Sequence, residues 1–267
     1  MTNSQTLVPV APIKPIAAYI GGKRNLATRL VVRIGAIEHR AYIEPFVGMG
    51  GVFFRRDRRP TLEVINDISA DVTNVFRILQ RHYQQLLDVM KWQITSRAEF
   101  ERLVQVDPDT LTDLERAARF IYLQRLSFGG KVAGRNFGVS TTCSARFDLT
   151  KLVPALEDVH ERLSPVVIER LNYDRLIEKY DRPHSLFYLD PPYWGCTDDY
   201  GRNVFSEGDF ERLSTLLEGI DGRFILSIND TPEVRDIFGR FTTEEVGVNY
   251  RLSGPATPAR ELIISNE

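Results

Sequence analysis

Apolar and polar positions alternate between two rhythms along the chain, with one long interruption. Ala41-Tyr42-Ile43-Glu44 is a short apolar run that stops at Gly48-Met49-Gly50-Gly51, and Leu62-Glu63-Val64-Ile65 is a second run ending in Asn66-Asp67. Short runs bounded by turn residues read as strands, and a helix is expected to start from the glycine turn, which makes the pair a βαβ unit. From about Ser69 to Leu163 the period changes. Val72, Val75, Phe76 and Leu79, then Leu114, Ala117, Phe120, Ile121 and Leu123, recur at helical spacing and predict a mostly helical segment. Strand signals resume at Val166-Val167-Ile168, Ser185 to Leu189, Phe224 to Ile228 and Glu261 to Ile264, with helices around Leu176 and from Phe210 to Leu217. There is no internal repeat. The expected fold is a three-layer α/β domain with a mainly parallel sheet, formed by residues 1–71 and 165–267, carrying an inserted, mostly helical subdomain at 72–164.

Inside the insertion, the run from Phe128 to Gly138 contains Gly129, Gly130, Gly134 and Gly138, too many glycines for a helix. It reads as a loop or a glycine-bent hairpin. Upstream, Phe46-Val47-Gly48-Met49-Gly50 follows a strand, and glycines there let a ligand approach the backbone. Asp67 lies nineteen residues past Gly48, where a carboxylate can grip ribose hydroxyls or cap the next helix. Phe53 occupies the place of the third glycine in a dinucleotide fingerprint, which argues against a nicotinamide enzyme.

The most informative run is Tyr188-Leu189-Asp190-Pro191-Pro192-Tyr193, where an apolar strand delivers a carboxylate into two prolines and an aromatic ring. Open α/β sheets bind ligands at that carboxyl edge. An exocyclic amino group on adenine or cytosine is a poor nucleophile, because its lone pair is delocalised into the ring. A carboxylate accepting one N–H and a proline carbonyl accepting the other would localise that lone pair and aim it at a sulfonium methyl. Tyr193 would stack on the base. Two prolines hold Asp190 and the Pro191 carbonyl in convergence at low entropic cost. Tyr200 and Phe205 either wall that pocket or belong to the core.

Absences narrow the chemistry. Attack at a ring carbon needs a cysteine nucleophile, usually after proline, yet Cys143 follows Thr142 and Cys196 follows Gly195. His39, His82, His160 and His184 show no metal-ligand spacing, so no metal is expected. No apolar run is long enough to span a bilayer, and Met1 to Val10 lacks the order of a signal peptide, so a cytoplasmic address follows by default.

The chain has 267 residues, 43% of them hydrophobic, enough for one substantial core, and its net charge of -2 hides a segregation. Met1 to Ile37 holds Lys14, Lys23, Arg24, Arg29 and Arg33 with no acid, and Arg116 to Phe147 holds Arg116, Arg119, Arg125, Lys131, Arg135 and Arg146 with none. Two acid-free stretches in an acidic protein point to a polyanion-facing surface, or to faces balanced elsewhere.

Taken together, these motifs resemble the DNA adenine-N6 methyltransferase family of the D12 class, in which a cofactor motif precedes the target-recognition region and Asp-Pro-Pro-Tyr follows it. Besides Asp190 to Tyr193, the resemblance rests on Tyr19-Ile20-Gly21-Gly22-Lys23, on Glu44-Pro45-Phe46-Val47-Gly48-Met49-Gly50, on Asn66-Asp67 and on Asn172-Tyr173-Asp174, and it covers nearly the whole chain. It implies a Rossmann-like S-adenosylmethionine-dependent domain, double-stranded DNA as partner and flipping of the target base. It further implies cofactor contacts by Tyr19, Gly22, Lys23, Glu44, Phe46, Gly48, Gly50 and Asp67, with Asp174 on the cofactor's adenine amine. Catalysis would fall to Asp190, Pro191, Pro192 and Tyr193, and DNA contact to Arg125, Lys131, Arg135 and Asn136. Gly130 to Ser140 departs from the asparagine-valine-proline pattern of members that read GATC. Cytosine-N4 methylation and a DNA-binding module without catalysis are the rival readings. The oligomeric state is open, with a monomer favoured.

Overall fold

In the computed structural model the described residues are 7–19, 21–23, 25–139, 142, 144–196, 205–250 and 257–267. Ile20, Arg24, Ser140, Cys143 and Tyr200, all named above, lie outside them. The chain runs through β1 (Val8–Pro9), α1 (Ala27–Ala36), β2 (Ala41–Glu44), β3 (Arg58–Arg59) and β4 (Leu62–Asn66), and then enters the helical segment. That segment is α2 (Ala70–Arg81), α3 (Tyr83–Met90), α4 (Arg97–Gln105), α5 (Asp113–Leu126) and α6 (Leu149–Leu163). The remainder is β5 (Val167–Glu169), α7 (Tyr173–Tyr180), β6 (Ser185–Leu189), α8 (Glu207–Glu218), β7 (Arg223–Asn229), α9 (Pro232–Ile237), β8 (Thr242–Tyr250) and β9 (Thr257–Ser265).

Seven strands form one sheet in the order β5-β4-β2-β6-β7-β9-β8, and β1 pairs with β3 separately. The first five strands in that order are parallel, while β9 runs antiparallel to both β7 and β8. β4, β2, β6 and β7 are almost wholly buried, as strands covered on both faces must be. One apolar cluster joins α1 and α2 to α6 with one face of the sheet, and a second joins α7, α8 and α9 with the other. The helical segment therefore shares a core with the sheet. No helix among the described residues is long and apolar enough to cross a membrane.

Two expectations need correction. No α-helix follows the glycine turn: only a 3-10 turn, Phe53–Arg55, forms there. Phe53 and Phe54 are both buried and Arg56 must turn inward at once to meet Glu63, so a longer helix would carry that guanidinium out of reach. The expected strands also omit the two-residue pair β1 and β3, too short to leave a pattern, and β8, whose charged residues Glu244 and Glu245 mask its alternation. It is an edge strand, stabilised by its nine-residue register with β9.

Glu63 explains how α6, the last helix of the helical segment, is fastened to the sheet. The Arg162 guanidinium at the end of α6 donates to both Glu63 oxygens at 2.7 and 2.6 Å, Arg56 approaches Glu63 at 2.9 Å, and all three side chains are buried. Arg56 lies on the Tyr42 ring and Arg162 on the Phe53 ring. Removing the shared carboxylate leaves two desolvated cations. Glu63→Ala is therefore expected to destabilise the fold by about 3–5 kcal/mol, read as a lower denaturant midpoint.

Candidate active site

Three parallel strands end at one edge, and each delivers a carboxylate: β2 ends in Glu44, β4 is followed by Asp67 and β6 by Asp190. β2 sits between β4 and β6, so the chain order reverses direction there, which is where open α/β sheets leave a crevice. A cavity of about 890 Å³ lies at that point, lined by Glu44, Asp67, Asp190 and Lys23 among others.

The turn after β2 is built by glycine for steric reasons. Gly48 has φ +51° and a Cβ there would fall 2.9 Å from the Tyr19 ring; Gly50 has φ +72° and a Cβ would meet the Phe54 ring at 2.4 Å. Asp67 holds the turn, accepting from the Gly48 N–H through Oδ2 and from the Ser69 N–H through Oδ1, each at 2.9 Å. Burial pushes the Asp67 carboxyl up to about 6, against those two hydrogen bonds. Asn66 beside it faces the interior, where its amide donates to the Pro45 and Leu171 carbonyls and its oxygen accepts from the Leu171 N–H. One side chain thereby ties together the loops after three neighbouring strands. Glu44 is buried, accepts from the Tyr42 hydroxyl at 2.8 Å and is pushed up by burial to about 8.

An aromatic wall closes the cavity near β4. Phe46, Tyr173 and Phe205 have ring centroids 5.6 to 5.7 Å apart, and all three line the cavity. Tyr173 is oriented by its hydroxyl bond to Asp209.

The opposite wall carries the charge. The Lys23 side chain is 1% exposed, and its ammonium contacts Asp190 Oδ1 at 2.8 Å, the Tyr193 hydroxyl at 2.6 Å and Glu261 Oε2 at 3.5 Å. The Tyr193 hydroxyl in turn donates to Glu261 Oε1 at 2.7 Å. Asp190 keeps 21% of its side chain exposed, toward the cavity it lines. Burial raises its carboxyl to about 6, Lys23 pulls it down and Glu261 pushes it up. The proline turn is held by a reciprocal pair: the Trp194 N–H donates to Asn229 Oδ1 at 2.9 Å, and the Asn229 amide donates to the Trp194 carbonyl at 3.1 Å.

Of the anticipated cofactor residues, Tyr19, Gly22, Lys23, Glu44, Phe46, Gly48 and Asp67 line one cavity with Asp190 and Pro192. Gly50 stands behind it against Phe54. Asp174 is exposed on the first turn of α7 and accepts from the Arg175 N–H, whereas Asn172 and Tyr173 line the cavity. Glu261 was read only as strand. Its signal was a carboxylate opening the apolar run Leu262-Ile263-Ile264 on a strand between two others.

The basic loop divides. Lys131 and Asn136 are exposed. Arg135 is turned inward over the Phe120 ring, with Nη2 3.4 Å from Gln124 Oε1, and burial lowers its guanidinium to about 10. Arg125 donates to the Arg146 and Ile16 carbonyls and lines the cavity. Gln124, itself buried, donates to the carbonyls of Ala18 and Gly130, joining the cavity's N-terminal wall to the glycine loop.

Comparison with known proteins agrees in kind. The family model for the D12 class N6 adenine-specific DNA methyltransferase matches residues 19–252. The chain is 24% identical over 241 residues to the type II methyltransferase M.CviBI of Paramecium bursaria Chlorella virus NC1A, covering 90% of this chain and 92% of that one. It is 24% identical over 275 residues to the type II methyltransferase M1.LlaDCHI of Lactococcus lactis subsp. cremoris, covering 95% of each. Against the DNA N-6-adenine-methyltransferase of Escherichia phage P1 it is 26% identical over 255 residues, covering 89% of this chain and 33% of that one.

The charged wall makes its own prediction. Lys23→Met leaves Asp190 and Glu261 buried without their cation, so the Asp190 carboxyl rises further above about 6. Carboxyls whose folded pKa exceeds the unfolded value cost stability as pH rises. The variant should lose about 3–5 kcal/mol at pH 8 and regain part of it as pH falls through 6, measured by denaturant unfolding at both pH values.

Proposed function

The chain belongs to the D12 class of N6 adenine-specific DNA methyltransferases, and from that membership we propose that it moves a methyl group from S-adenosyl-L-methionine to adenine N6 in double-stranded DNA by direct displacement. The observation that carries the proposal is Asp190, a carboxylate on a proline-fixed turn at the carboxyl edge, partly exposed to a cavity and backed by a buried ammonium.

The cavity suits that methyl donor. Its volume admits a nucleoside with an amino-acid arm, and its Phe46, Tyr173 and Phe205 rings offer a stacking wall for a purine. At its charged wall, two carboxylates against one ammonium leave an excess negative charge that complements a sulfonium. When bound, the donor supplies the electrophilic methyl. Asp67 would take ribose hydroxyls, Tyr19 and Glu44 the methionine portion, and Asn172 and Tyr173 the place anticipated for Asp174. Because a base amine is inaccessible inside a duplex, the target adenine is flipped toward the turn. There Asp190 accepts one N–H of the amine, the Pro191 carbonyl accepts the other, and the Tyr193 ring stacks on the base, so the nitrogen lone pair is localised before transfer. Residues 72–164 serve as the target-recognition insertion. Lys131 and Asn136, both exposed, would meet DNA, whereas Arg125 and Arg135 would act from within by holding the loop.

Nucleoside digestion of DNA incubated with labelled donor should yield N6-methyladenine; N4-methylcytosine as the product would overturn the choice of base. Asp190→Ala should lower kcat by about 10²-fold or more while donor and DNA still bind. Because Asp190 must be ionised to accept the amine, kcat/KM should fall as pH drops through about 6, the value of both Asp190 and Asp67. Lys131→Ala should reduce the slope of log affinity against log salt by about 1, and an unchanged slope removes it from the interface.

A further inference from the structure

Glu261 takes no part in the chemistry so far, yet it is the buried end of a chain of hydrogen bonds that starts at Asp190. It is 1% exposed, sits on β9, and reaches the site from a strand that enters the sheet last. The Lys23 ammonium has three N–H groups, and among the described residues it meets Asp190 Oδ1 at 2.8 Å, the Tyr193 hydroxyl at 2.6 Å and Glu261 Oε2 at 3.5 Å. The hydroxyl of Tyr193 passes its own hydrogen to Glu261 Oε1. Glu261 therefore acts on Asp190 twice, by sharing the cation and by fixing the tyrosine of the catalytic turn.

We propose that Glu261 is a positioning residue for methyl transfer: it draws the Lys23 ammonium partly away from Asp190 and locks the Tyr193 hydroxyl, which keeps Asp190 a strong hydrogen-bond acceptor for the target amine. The physical reason is a balance. An ammonium paired with Asp190 alone would satisfy that carboxylate and weaken it as an acceptor; an absent ammonium would leave it protonated in so buried a place. A second carboxylate on the far side of the cation sets an intermediate strength. Among the described residues, the groups that act on Asp190 are Lys23 from the N-terminal segment, Glu261 from β9, Glu44 from β2 and Tyr188 from β6, with the Ser227 hydroxyl on β7. Of these, Glu261 also contacts Lys23.

This inference rests on the reading of Asp190 as the amine's acceptor, and the experiment separates the two. Single-turnover rates of Glu261→Gln are measured across pH with labelled donor and duplex DNA, alongside Asp190→Asn. The amide still accepts from Tyr193 but no longer competes for the cation. Expected is a fall in kcat of about 10-fold or more with donor affinity little changed, and an acid limb moved down by about one pH unit, since Lys23 now favours Asp190 alone. Asp67 cannot produce that shift, because its titration is set by burial and the Gly48 and Ser69 N–H groups. An unmoved acid limb with wild-type kcat overturns the role of Glu261. Retained transfer in Asp190→Asn overturns the reading of Asp190 instead. Should Glu261→Gln fail to fold, Tyr193→Phe takes a hydrogen-bond donor from Glu261 but leaves its charge, so Glu261 draws more of the Lys23 cation and the acid limb must move up instead for the inference to stand; an unmoved limb overturns it.

Discussion

A desolvated ammonium governs the architecture of this site. Burying a lysine costs several kcal/mol unless carboxylates and hydrogen bonds surround it, and Lys23 is 1% exposed. Its partners are remote from it along the chain: Asp190 and Tyr193 on the turn after β6, and Glu261 on β9. Satisfying one cation therefore requires that the N-terminal segment, the proline turn after β6 and the antiparallel end of the sheet all be in place. The same arrangement leaves the wall with one more negative than positive charge, which suits a cationic methyl donor.

The helical segment, residues 72–164, is bound to the sheet by comparable means. Its helices share the apolar cluster that covers one sheet face, and the Arg56–Glu63–Arg162 triad fastens the end of α6 to β4. Within the helical segment, Gln124 on α5 bonds both Ala18 and Gly130. The glycine loop and the wall carrying Tyr19 are thus adjacent through a single buried amide, so the loop that faces outward and the cavity beneath it cannot be placed independently.

Charge along the chain proved a poor guide to charge on the surface. Of the acid-free stretches, Arg29 and Arg33 pair with Glu244, Arg116 pairs with Asp71 and Asp109, and Arg119 donates to the Leu103 carbonyl. Lys23 and Arg135 turn inward as well. Lys14, Lys131 and Arg146 remain exposed. A run of arginines without neighbouring acids finds its carboxylates across the fold, where sequence distance has no bearing.

Local pattern was enough to determine the parallel strands, the helical segment, the glycine turn after β2 and the proline turn after β6, because each depends on residues within a few positions of one another. The period of apolar residues, the sterics of Gly48 and the rigidity of Pro191-Pro192 are all short-range facts. Tertiary structure alone decided that the segment after the glycine turn carries no α-helix, since Arg56 had to reach Glu63. It decided that Asn172 and Tyr173 rather than Asp174 face the cavity, a matter of helix phase at the start of α7. It also decided that Glu261 stands behind Asp190, because only the insertion of β9 beside β7 brings residue 261 to residues 23 and 193. Pairing of buried charges is set by which strands become neighbours, and no local pattern in this chain encodes that.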